Sequence, residues 1–81
     1  MRVAVLALGF VAIALSPASA DDETDCRVGI EMIKAEIAKK PSQTVLTKLQ
    51  TSLRVAEREQ REREFDECMD AVKDARKTLG R

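Results

Sequence analysis

The chain has no histidine, no tryptophan and no tyrosine, and only two phenylalanines, three glycines and two prolines. Each shortage excludes something. Without histidine the commonest general base is missing, along with the usual zinc and copper sites and the partner that activates a nucleophilic cysteine. The glycines, at 9, 29 and 80, are too scattered to form a loop that cradles phosphate. Ser42 and Ser52 fall at a helix start and on a helix face, with no base constellation to activate them. The composition therefore points away from an enzyme. There is no basic excess either: 14 Lys and Arg stand against 14 Asp and Glu. Nucleic acid and anionic membrane, which call for such an excess, are not expected as partners.

What is present begins with a leader. Met1 and Arg2 precede an apolar run from Val3 to Leu15, and Ser16-Pro17-Ala18-Ser19-Ala20 leads into Asp21, Asp22 and Glu23. A positive start, an apolar run too short to span a bilayer comfortably and an Ala-x-Ala ending describe a secretory signal peptide. Residues 1–20 are expected to be cleaved after Ala20, the alternative being an uncleaved membrane anchor. No lipobox cysteine sits at the junction. The expected product is a single periplasmic helical domain, 21–81. It loses one base, Arg2, and no acid, so its net charge is −1.

A domain of about 60 residues lies near the lower limit at which one apolar core offsets chain entropy. In an exported protein, Cys26 and Cys68 can supply a covalent staple. Closing the loop between them should contribute roughly 4 kcal/mol in the chain-entropy model. A redox pair would more often be close in sequence, as in Cys-x-x-Cys. Thiol cycling nevertheless remains a third functional alternative.

The expected fold class is all-α. Cys26, Ile30, Ile33 and Ile37 recur at helical spacing between Thr24 and Lys40, with Thr24 or Asp22 as a cap. The acids at 21–25 and Lys39 and Lys40 then suit the two ends of the helix dipole. Val28, Met32 and Ala35 make a second apolar set nearly opposite, either sandwiched between helices or offered to a partner. Pro41 stops this helix and Ser42 caps the next, whose apolar set is Val45, Leu46, Leu49, Leu53 and Ala56. From Glu57 to Glu64 no apolar residue occurs, and the core stripe is expected to fail. Phe65, Cys68, Met69, Val72 and Leu79 then resume it, with Gly80 as the stop.

No residue between 57 and 64 breaks a helix, so propensity alone would join the second and third segments. In such a straight hairpin Cys68 overshoots Cys26 by about 12 residues, or about 18 Å. A disulfide tolerates about 7 Å between Cα atoms. An intramolecular bridge therefore requires a reversal near Gln60 to Glu64 and a small three-helix bundle. The alternative is a helical hairpin with a long second helix and cysteines paired between chains.

The side chains that remain for chemistry are carboxylates. Glu67, Asp70 and Asp74 are spaced three and four apart and point away from the Phe65-Cys68-Val72 stripe, with Asp66 on the flank and Glu64 one turn earlier. Such an exposed acidic ridge offers oxygen alone, which suits a hard cation, calcium, manganese or a lanthanide(III), ahead of magnesium. As an ordinary solvated face it would be neutralised by Arg63 and Lys77 at helical spacing. A second acidic group, Asp21-Asp22-Glu23-Asp25, is expected near the first if a disulfide joins the two ends. No EF-hand loop is present, so few protein ligands and a metal-bridged homodimer are the expectation.

In its acidic start ending in Cys26 and its Phe65-Asp66-Glu67-Cys68-Met69-Asp70-Ala71-Val72 helix, the chain resembles the small exported two-cysteine helical proteins of alphaproteobacteria. In size and style it is also similar to landiscernin-type periplasmic lanthanide-binding proteins. That resemblance implies rare-earth handling through oxygen ligands, without catalysis. The combined expectation is a periplasmic hard-metal carrier or chaperone using Glu64, Asp66, Glu67, Asp70 and Asp74. The rival is a metal-free interaction module or homodimer that docks through Val28, Met32 and Ala35 on the first helix, with Val55 on the second.

Overall fold

The computed structural model describes residues 17–81, and the side chains of 21–81. Most of the expected signal peptide therefore lies outside the described residues. Three helices follow one another: α1 (Pro17–Ala38), α2 (Gln43–Arg61) and α3 (Phe65–Thr78). Each packs against the other two, and no strand occurs among the described residues. No helix among them is long and apolar enough to cross a membrane.

The core takes one large side chain from each helix, Ile33, Leu49 and Val72, all fully buried. Around them lie Cys26 and Ile30 from α1, Ala56 from α2, and Cys68, Ala71 and Ala75 from α3. The spacing of these residues in each helix is the expected stripe, and burying each branched side chain is worth about 1.5–3 kcal/mol. Cys26 and Cys68 form an intramolecular disulfide with Cα atoms 5.7 Å apart. The bundle, not the long hairpin, is the fold. Gly29 sits on the same face, and a Cβ built there would lie 2.6 Å from both γ-methyls of Val72. The absence of a side chain is what lets α1 and α3 approach at this level.

Every helix ends in a left-handed residue: Lys40 (φ 57°), Arg63 (φ 61°) and Gly80 (φ 80°). At the end of α2 the amide of Glu64 donates to the carbonyl of Glu59 (2.9 Å), and that of Arg63 to Gln60 (3.1 Å). Gly80 and Arg81 repeat this pair of bonds on Lys77 and Arg76. Both are Schellman closures, which satisfy the orphan carbonyls of a helix end. The reversal at 62–64 is therefore closed by an arginine in a conformation that costs a side-chain-bearing residue about 1–2 kcal/mol. Ser42 does cap α2, its hydroxyl accepting from the amide of Val45 (3.4 Å).

Two expectations are corrected. α1 begins at Pro17, not at a cap on Asp22 or Thr24, so Asp21 to Asp25 lie within the helix. Nothing from 17 to 25 breaks a helix, and proline is well tolerated in a first turn. The buried stripe of α2 also does not fail at Ala56. It runs Leu49, Ser52, Ala56, Glu59, and Glu59 is only 8% exposed. Leu46 and Leu53 are half-buried beside it.

Candidate acidic cleft

Because α2 and α3 are antiparallel neighbours across a three-residue turn, their facing rows converge. Thr51, Ser52, Val55, Arg58 and Glu59 recur on one side of α2, and Glu67, Asp70, Ala71 and Asp74 on the opposed side of α3. Between the rows is an open cleft of about 260 Å³. Its apolar lining residues are Val55 and Ala71, and it carries four carboxylates and one guanidinium.

Glu59 is the most enclosed of these acids, and its carboxylate accepts from the Arg58 guanidinium at 3.2 Å. The Glu67 carboxyl is held above its ordinary pKa. The main cause is the negative charge of Glu59 across the cleft, followed by partial loss of water and by Glu64, Asp66 and Asp70. The neutralising helix pairs do not form: among the described residues neither Arg63 nor Lys77 makes an ion pair with the ridge. Arg63 lies instead over the Phe65 ring, 5.5 Å from its centre.

Of the five acids expected to act together, Glu67, Asp70 and Asp74 line the cleft. Glu64 and Asp66 do not. Glu64 is the N-cap residue of α3 and exposed, and Asp66 accepts from the amide of Glu67 at 3.0 Å. Glu59 and Arg58 belong to the site and were missed. The 49–52–56–59 spacing was the available signal, obscured by the charged run in which Glu59 stands. Among the described residues no three Asp, Glu or Cys side chains stand close enough together to hold a metal ion in common. A cation here would therefore take few direct protein ligands.

Of the second acidic group, Glu23 lines a different cleft, of about 430 Å³, with Thr24, Arg27, Gln60, Arg63 and Phe65. On the outer face of α1, Val28 is 56% exposed and Ala35 is exposed, while Met32 is half-buried against the core. Val55 lies in the acidic cleft. Both cysteines are fully buried in the disulfide, with no free thiol among the described residues.

No family model matches the chain, and no curated protein or solved structure is significantly similar to it.

Proposed function

We propose that this is a non-enzymatic periplasmic protein that carries a hard cation, a lanthanide(III) or calcium, in the cleft between α2 and α3. The single observation behind this reading is the row of carboxylates without an ion-pair partner among the described residues, Glu67, Asp70 and Asp74, set across the cleft from Glu59, whose negative charge is the main cause of the raised Glu67 pKa. Like charges gathered this way destabilise a surface unless a cation joins them. All donors are oxygen, as hard ions prefer. With one or two carboxylates bound directly, water fills the rest of the shell, and a second molecule can replace some of it in a metal-bridged dimer.

The test is calorimetric titration of the oxidised protein with lanthanum and with calcium, before and after Glu67→Gln plus Asp70→Asn. These near-isosteric changes keep the helix. Saturable binding at fixed stoichiometry that is lost in the variant is expected. Affinity unchanged by the two substitutions would sink the site assignment.

A second reading rests on Val28, the one large apolar side chain strongly exposed among the described residues. As an interaction module the protein would dock through Val28, Met32 and Ala35. Association that survives a chelator and disappears in Val28→Glu, followed by size exclusion, would favour this reading over the carrier.

A further inference from the structure

The acidic cleft has a counterpart of opposite chemistry at the disulfide end of the bundle. We propose that the cleft lined by Glu23, Thr24, Arg27, Gln60, Arg63 and Phe65 binds a small organic monocarboxylate. Arg27 and Arg63 take its anionic group, and Phe65 receives its apolar body.

The lining comes from all three helices and the α2–α3 turn, and it is rich in donors. Two guanidiniums, a glutamine amide and a threonine hydroxyl surround a volume of about 430 Å³, within the range of small-molecule sites. Arg58 and Arg81 are each paired with a carboxylate, but Arg27 and Arg63 form no ion pair among the described residues. Their forks remain free for a ligand.

Arg63 adds an independent sign. It holds the left-handed turn position that a glycine would occupy without strain, φ 61°. Its guanidinium is also stacked 5.5 Å from the centre of the half-buried Phe65 ring, which restricts the fork and sets an apolar surface beside it. A planar fork matches a carboxylate bidentately. Glu23 on the wall leaves the lining with a net charge of +1, which suits a single negative charge and opposes a polyanion. The disulfide fixes the walls, since Arg27 follows Cys26 and Phe65 lies one turn before Cys68.

The probe is benzoate, titrated into the oxidised protein by amide and arginine side-chain NMR, with acetate and inorganic phosphate alongside. Benzoate is expected to saturate in the millimolar range and to shift Arg27, Gln60 and Arg63, with acetate at least tenfold weaker. Arg63→Gly keeps the turn and removes the fork; it should weaken benzoate at least tenfold, as should Arg27→Gln. Glu67→Gln, in the other cleft, should leave benzoate binding unchanged. The proposal is overturned by failure of benzoate to saturate, by phosphate binding as well as benzoate, or by undiminished binding in Arg63→Gly.

Discussion

Gly29→Ala tests the packing of the bundle directly. Alanine is the better helix former by about 1 kcal/mol, so on local grounds the change should stabilise α1. Packing says the reverse. The new Cβ would stand 2.6 Å from both γ-methyls of Val72 and 3.1 Å from its Cβ. Val72 is fully buried beside the disulfide and has no open space to turn into. Overpacking of this kind costs about 1–3 kcal/mol, so a net loss of about 1 kcal/mol is expected. For a domain of this size that lowers the melting midpoint by about 4–8 °C. Val72→Ala alone should cost about 2–3 kcal/mol through lost burial and the cavity. In that background the clashing methyls are gone, and Gly29→Ala should become neutral or favourable by up to about 1 kcal/mol. Circular dichroism melts and urea titrations of the four proteins, all oxidised, complete the cycle. A stabilising Gly29→Ala in the wild-type background, or a coupling below about 0.5 kcal/mol, would show that α1 and α3 do not meet at this level.

Replacing the disulfide by Cys26→Ala plus Cys68→Ala should lower stability by about 4 kcal/mol, read from the urea midpoint. A loss below about 1 kcal/mol would remove the staple from the account of how so small a core folds. Arg63→Gly should raise stability by about 0.5–1 kcal/mol, because the left-handed cost at the turn outweighs the exposed contact with Phe65; a destabilised variant would contradict the turn geometry. Glu36 is held below its ordinary value of 4.5, chiefly by the hydrogen bond from Lys39, with Arg81 also donating to it. Its stabilisation is therefore present above pH 4.5 and lost as pH falls through the depressed value, and Glu36→Gln should flatten that acid arm. Glu67 is raised above 4.5, so its effect has the opposite sign. The contribution of Glu67 is most favourable below pH 4.5 and is lost as pH rises through the raised value, so Glu67→Gln should be more stable than wild type at neutral pH in low salt. A less stable Glu67→Gln would contradict the repulsion on which the acidic cleft rests.

Much of the architecture was legible because it depends on spacing and chain length. The α1 stripe Cys26, Ile30, Ile33 and Ile37 follows from the 3.6-residue period, and all four lie in or against the core. Pro41 and Ser42 mark the first connection through local chemistry. The second connection, without glycine or proline, followed from geometry alone: Cys26 and Cys68 meet only if the chain turns near Gln60 to Glu64, and it turns at 62–64. Expectations that depended on which neighbour a charged side chain would meet fared worse. Arg63 and Lys77 were free to pair with the ridge at helical spacing, but Arg63 entered the left-handed turn and lies over Phe65.

By itself the sequence determined that the chain is helical, where its stripes run, that its only nitrogen cations are Lys and Arg, and that its anionic groups are carboxylates. Those properties belong to individual residues and to their period along one helix. Only the tertiary structure decided that Glu59 is enclosed opposite Glu67, that Gly29 admits Val72, and that Arg27 shares a cleft with Arg63. Each of these joins residues from different helices, or from a helix and a turn. Their meeting is set by how the bundle packs and where the disulfide holds it, which no repeat along a single segment encodes.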